Sequence, residues 1–382
     1  MYSVRVNQRD RFLETMLFGR PDRIPLEPQS GRESTRKAWY SQGLPETVPS
    51  HGIARYAFEQ IGSPYPWPEP GEGFPVSERM IPQFEEKVIE VRENSQIVQD
   101  WKGNICEIGR QYTTEYLRNA IDFVTRKWIK CPVENREDWE AMKSRYDPED
   151  PARLPADAEQ RERRLADRTW PVAYHFSGPF WQMREWLGFE RLCTMFYDDP
   201  DLIRDMVAFW TDHVERLMEN AFRYCTPDEV HLSEDMAYKA FSMVSPDMAR
   251  EFLFPAWKRW GEVVRSHDVP LYAMDSDGFI GELIPIWIDA GINACDPIEV
   301  AAHNDIVAFR ERFANRMAYR GGVDKRKMAA GGEALDAELR RLEPVVAGGG
   351  YIPSCDHGIP ADVSWENYLQ YVRGLARLTG WL

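Results

Sequence analysis

At 382 residues, 43% of them hydrophobic and 13% aromatic, the chain has enough apolar material for one large barrel-type domain or two ordinary ones. A formal net charge of −15 excludes the basic footprint of a nucleic-acid binder, and no apolar run approaches the roughly 20 residues of a membrane span. Six cysteines without a C-x-x-C pair or zinc-finger spacing, behind a polar start with no signal peptide, point to a reduced, cytoplasmic protein.

In chain order, Arg5 to Arg20 reads as an amphipathic helix with Phe12, Met16 and Leu17 on its apolar side. Ile24 to Pro28 reads as a first short strand, followed by Gln29 to Arg36 leading into a helix with Trp39. Arg32 and Arg36, just past that strand, either meet an anionic ligand or stay at the surface. Residues 64–80 carry too many prolines and glycines for regular structure and too many aromatics for a plain linker, so an ordered loop or lid is expected. From Lys87 to Val133 apolar and polar residues alternate, which predicts an antiparallel β-meander, inserted at about 87–130, with a hairpin turn at Lys102-Gly103-Asn104. Asn135 to Arg168 is charged and reads as solvated helix and connector.

From residue 170 onward a strand–helix unit repeats six times, with strands near 171–176, 229–233, 269–275, 292–295, 317–322 and 350–354. The Ile24 strand makes seven, and an eighth is expected between 105 and 130. No G-x-G-x-x-G follows the first strand, so an open doubly wound sheet is disfavoured. The expected fold is α/β, a (β/α)8 TIM barrel as a single domain over 1–382, with the antiparallel insertion in its N-terminal third.

In such a barrel the strand ends form one rim. It would carry Arg32, His175, Glu234, Asp235, Asp275, Asp277, Cys295, Asp296, Asp324, Lys325, Cys355, Asp356 and His357. Acids at five strand ends repel one another unless a cation or a proton sits among them. The centre is Met274-Asp275-Ser276-Asp277-Gly278, where a buried strand meets a helix expected from Phe279. Its two carboxylates either hold a metal ion or share a proton. The structural alternative has Ser276 or Asp277 capping that helix while Gly278 makes the turn. His175 reads equally as a ring packed near Trp181, and Cys355 as a small buried side chain.

These residues, with Arg9-Asp10-Arg11-Phe12, Pro21-Asp22-Arg23-Ile24-Pro25, Ser245-Pro246 before Phe252-Leu253-Phe254-Pro255, Gly321-Gly322-Val323-Asp324 and Asp356 to Pro360 before Trp365-Glu366-Asn367-Tyr368, resemble the uroporphyrinogen decarboxylase superfamily. That superfamily includes the decarboxylase and the methyltransferases that take methyl groups from methylated corrinoid proteins. The resemblance implies the (β/α)8 barrel. Where the methyltransferase branch binds zinc through His-x-Cys-Gly and a later Cys-Gly, this chain has Asp275-Ser276-Asp277-Gly278 and His357-Gly358. It thereby implies a harder, oxygen-rich set of Asp275, Asp277 and His357 for a divalent ion, zinc or another. Where the decarboxylase branch holds substrate carboxylates with Arg-Gln-Ala-Gly-Arg, this chain has Pro28-Gln29-Ser30-Gly31-Arg32 and keeps the second arginine. That branch's His-Gly-Met matches His357-Gly358-Ile359.

The implied function is methyl transfer or demethylation of a small molecule at an acidic barrel mouth, with a corrinoid protein as partner and a homodimer as assembly. Decarboxylation of uroporphyrinogen or another carboxylate is the alternative, and a non-catalytic small-molecule-binding barrel the third. Asp275, His357 and Glu234 are expected to be catalytic. Arg32, His175, Asp235 and Asp324 are expected to bind substrate.

Overall fold

The computed structural model describes residues 6–63, 65, 71–119 and 124–382. The repeated strand–helix units form six parallel strands in sequential order: β5 (Ala173–Ser177), β6 (Glu229–Ser233), β7 (Leu271–Asp275), β8 (Ala294–Asp296), β9 (Ala318–Val323) and β10 (Tyr351–Cys355). Before them, β1 (Lys87–Val91), β2 (Ser95–Gln99), β3 (Ile105–Gly109) and β4 (Lys127–Lys130) make a separate four-stranded antiparallel sheet. That is the expected barrel with its inserted meander. The hairpin turns at Gly103, whose φ of +86° suits a residue without Cβ. Lys102 at its tip pairs with Glu185 on the helix Pro179–Leu187 and ties the insertion to the barrel.

Two expectations fail at the barrel's seam. Ile24 to Pro28 forms no strand; Pro25 and Pro28 remove two of the N–H groups a ladder needs. The segment lies beside β10 through side chains, with Gln29 donating to the Cys355 carbonyl. Among the described residues between 105 and 130 there is no eighth parallel strand; β3 and β4 belong to the antiparallel sheet. Next to β5 runs an irregular stretch at 74–80, with Phe74 against Tyr174 and Glu78 hydrogen-bonded to Ser177. The lid expected over 64–80 lies partly outside the described residues. Its part from 71 to 80 is this seam segment.

Strand register explains what fills the barrel. Partners across a parallel ladder point the same way, so His175, His231, Ala273, Ala294 and Ala318 form one inward row. Ser177, Ser233, Asp275 and Asp296 form another, toward the C-terminal ends. The three alanines leave room at the opposite end for Phe12 and Met16, which pack there with Leu271 and Ile352. These two residues come from the first helix, Gln8–Met16, which is shorter than the Arg5–Arg20 span expected. Outside the sheet a continuous apolar shell contains the fully buried Trp186, Trp210, Trp257, Trp260 and Trp287. The long helix Pro200–Phe222 within that shell starts as its sequence predicts. Asp199 accepts from the Leu202 N–H, and Pro200 occupies the first turn. Among the described residues no helix is long and apolar enough to cross a membrane.

Candidate functional site

A cavity of about 570 Å³ opens at the C-terminal ends of the parallel strands. Gln29, Ser177, Trp181, Ser233, Asp235, Asp275, Asp277, Pro297, His357 and Gly358 line it. Three of its carboxylates are rim residues expected from the sequence.

Asp275 ends β7, and its backbone carbonyl accepts from the Glu234 N–H. Its carboxyl takes no hydrogen bond from the described residues. Burial raises its pKa to about 7, helped by the negative charges of Asp296, Asp235 and Asp277 and opposed by His231. An acid in that range can give or take a proton near neutrality.

Asp277 faces the cavity and does not cap a helix. The helix begins only at Ile284, after Leu283, so the capping alternative is replaced. Ser276 is buried with its Oγ accepting from the Met236 N–H. Gly278 has φ +82°, and a Cβ there would meet the Ala237 carbonyl at 2.5 Å. Glycine is therefore required where the two strand-end loops touch. Asp277 Oδ2 accepts from His357 Nε2 at 2.9 Å, and the Asp277 N–H donates to Asp235 Oδ1 at 3.1 Å.

His357 follows β10. Its Nδ1 lies 2.7 Å from Arg32 Nη2. A guanidinium only donates, so Nδ1 accepts and Nε2–H points to Asp277. The hydrogen bond to Asp277 raises the His357 pKa against its burial. Protonating Nδ1 would break the Arg32 contact. On the far side of His357 a second cavity of about 400 Å³ is bordered by Arg32, Lys325 and Arg326 together with Asp277, Glu299 and Asp362.

Asp235 sits at a strained φ of +45°. Burial and then Asp277 raise its pKa, while Arg184 approaches it at 3.6 Å.

Other expected members lie elsewhere. Glu234 is fully buried behind the wall, accepting from Trp257 Nε1 at 2.6 Å and from the Trp181 N–H at 3.0 Å. Burial pushes its pKa to about 8. It anchors the start of the Pro179–Leu187 helix and does not line the cavity. Asp324 caps the helix Lys325–Ala330 and pairs with Arg326, so it too is absent from the lining. His175 points into the barrel below the cavity, with Nδ1 3.1 Å from His231 Nδ1, and not toward Trp181. Cys355 is buried, its thiol pushed up to about 12. Asp356 accepts from the Val300 N–H, and burial raises its pKa to about 6.

The rim list missed what lies beneath. Arg320 makes a paired contact with Glu229, at 3.0 and 2.8 Å, and donates through Nε to Asp296 at 2.8 Å. His231 Nε2 adds a contact to Asp296 at 3.2 Å. Burial works against ionising Asp296, but Arg320 and His231 hold its pKa well below the ordinary carboxylate range. An arginine in the middle of the otherwise apolar Ala318-Tyr319-Arg320 strand was the available signal.

The expected metal set does not fit this arrangement. Asp277 and His357 turn their facing atoms on each other, and Asp275 shares no hydrogen bond with either. Among the described residues no group of three or more His, Cys, Asp or Glu side chains is placed to hold a metal ion. Zinc needs its ligands to converge to about 2.0–2.3 Å.

Comparisons with known proteins agree with this fold. A solved methyltransferase from Methanosarcina mazei matches with a TM-score of 0.56 over 97% of this chain and 98% of its own, at 13% identity. At that identity the likeness concerns the fold alone. A uroporphyrinogen decarboxylase from Methylococcus capsulatus is 24% identical over 231 residues. That stretch is 56% of this chain and 61% of the relative, so the match spans less than two thirds of its length. The model of the family Uroporphyrinogen decarboxylase (URO-D) matches residues 120–377, more than half of the sequence, and the chain belongs to that family.

Proposed function

We propose that this protein is an enzyme that transfers a methyl group to or from a neutral or cationic small molecule in the barrel-mouth cavity, with Asp275 handling the proton. The observation that carries the reading is the Asp275 carboxyl, unshared, facing the cavity and raised to about 7. When a methyl group leaves a heteroatom for an acceptor nucleophile, the heteroatom keeps the bonding pair and needs a proton. A carboxylic acid at its edge supplies one, and the resulting carboxylate takes one back in the reverse direction. A corrinoid protein is the proposed methyl-exchanging partner. His357, oriented by Arg32 and Asp277, forms the cavity's far wall and limits where substrate can sit.

Decarboxylation is the second reading. The Methylococcus capsulatus relative supports it, as does Arg32 in the second cavity on the far side of His357, where an anionic group could be met. A carbanion left by CO₂ would also need the Asp275 proton. Against a polycarboxylate such as uroporphyrinogen stands the lining of Asp235, Asp275 and Asp277.

The test supplies purified protein with a panel of O-, N- and S-methylated small molecules and free cob(I)alamin as acceptor. Uroporphyrinogen is run in parallel. Loss of a methyl group that requires Asp275 supports methyl transfer. CO₂ release from uroporphyrinogen without any methyl loss replaces it with decarboxylation, and no turnover on either arm leaves a binding protein.

A further inference from the structure

The hydrogen-bond polarity of the cavity wall says more about the ligand than its charge does. Ser177 ends β5 and lines the cavity. Its N–H donates to Glu78 Oε2 at 2.7 Å and its hydroxyl to Glu78 Oε1 at 2.6 Å, while its carbonyl accepts from Trp210 Nε1 at 2.8 Å. An ionised carboxylate can only accept, so both Ser177 protons are committed to Glu78. What Ser177 has left for the cavity is the lone-pair side of its hydroxyl. Burial raises the Glu78 pKa. The two Ser177 donors, and then the charges of Lys102 and Arg79, act in the opposite direction without cancelling that rise, so the commitment of both Ser177 protons holds for the ionised form of Glu78.

Gln29, on the other seam segment, repeats the pattern. Its carboxamide nitrogen must face the Cys355 carbonyl, which fixes Oε1 as an acceptor and leaves the nitrogen one further N–H. His357 has its N–H on Asp277 and its lone pair on Arg32, so it has nothing to donate to a ligand. With Asp235 and Asp277, the wall is rich in acceptors; its donors are the Asp275 proton, the Ser233 hydroxyl, the second Gln29 amide N–H and the Trp181 indole N–H.

We infer that the cavity selects a small molecule carrying a primary or secondary ammonium group, and that Glu78 is the positioning residue that sets this preference by committing the Ser177 hydroxyl proton. This rests on the barrel-mouth cavity being the ligand site, as proposed above. The ammonium N–H groups satisfy Ser177 Oγ and Gln29 Oε1, and the charge suits the neighbouring carboxylates. A ligand offering only lone pairs at this wall would leave those acceptors unpaired and buried.

The probes are benzylammonium and benzyltrimethylammonium, equal in charge and differing in N–H donors. Their dissociation constants are measured by calorimetry on the whole protein. The wild type is expected to bind benzylammonium at least about tenfold more tightly, the range of one hydrogen bond to a charged donor. Glu78→Gln nearly preserves shape. Its single oxygen must take the Ser177 N–H and its nitrogen must donate to Ser177 Oγ, because the flipped amide would set donor against donor. The hydroxyl proton then turns into the cavity. The preference should shrink about tenfold, whereas simple loosening of the wall would weaken both probes together. Ser177→Ala removes the acceptor and should give the same loss, which keeps the test decisive if Glu78→Gln fails to fold. An unchanged ratio in folded variants overturns this inference while leaving the cavity as the ligand site. Failure of both probes to bind the wild type overturns the site reading and this inference with it.

Discussion

Two polar regions share the inside of this barrel, and they differ in how completely their members are paired. The lower one, Glu229–Arg320–Asp296–His231, is saturated: the guanidinium serves two carboxylates and an imidazole covers the second. The upper one is short of partners, and the Asp275 carboxyl has none among the described residues. The two regions touch, because Asp275 and Asp296 are partners across neighbouring strands and point the same way. Ionised Asp296 is therefore one reason Asp275 keeps its proton. Saturation makes the lower region a scaffold, and deficiency makes the upper one reactive.

Breaking the scaffold should have the largest effect. Arg320→Leu removes the guanidinium that Glu229 and Asp296 share, leaves Asp296 with His231 alone, and is expected to cost about 3–5 kcal/mol, read as a lowered urea midpoint. If it were neutral, the lower region would not be the scaffold described.

Asp275→Asn tests the other half of the comparison. It should reduce turnover by about 10²–10⁴-fold, the range for a lost general acid, with no loss of stability at neutral pH. The sign of its pH effect follows from a folded pKa of about 7 against an ordinary 3.8. Stability from the Asp275 proton is complete below the unfolded value and is lost as pH rises through 7. Asn cannot lose that proton. The variant's denaturation midpoint should therefore fall less than the wild type's between pH 4 and pH 8.

Gly278→Ala probes the joint between the two acidic loops. The positive φ and the approach to the Ala237 carbonyl should cost about 1–3 kcal/mol. Activity should fall as Asp235 and Asp277 are displaced, which a thermal melt run beside an assay would separate.

His357→Gln is the mildest. Glutamine can accept from Arg32 and donate to Asp277, so turnover should stay within about tenfold of the wild type. The raised His357 pKa means that its stabilising contribution is full below 6.5 and is lost as pH rises through the folded value. A variant that retained this pH step would show that another group causes it.

The saturated and deficient regions were unequally legible in the sequence. Asp235, Asp275, Asp277 and His357 stand where strand patterns stop, and the expectation that they gather at one rim is met by the cavity lining. Glu234 and Asp324 occupy similar positions in the sequence. The first turns toward a tryptophan and a helix start, and the second caps its own helix. Position along a strand cannot show that turn, because it depends on which neighbour offers an N–H. Glu229, His231 and Arg320 are inward residues of mid-barrel. Only the register between strands brings them together. Glu78 was hidden for another reason, since it reaches Ser177 from an irregular stretch 99 residues away.

The seam has a consequence for how such a protein can diversify. The six hydrogen-bonded strands are contiguous, and the two segments flanking them, around 24–29 and 74–80, are held by side chains and not by a ladder. The meander of β1–β4 enters the chain directly after the second of these. New sequence spliced there lengthens the chain without interrupting a paired strand, so the six-stranded register can stay constant while the grafted part drifts. Gln29 and Glu78, which set the polarity of the cavity, both belong to the seam. Ligand preference can thus be rewritten from the part of the barrel that resists change least, with Asp275 left on the part that resists it most.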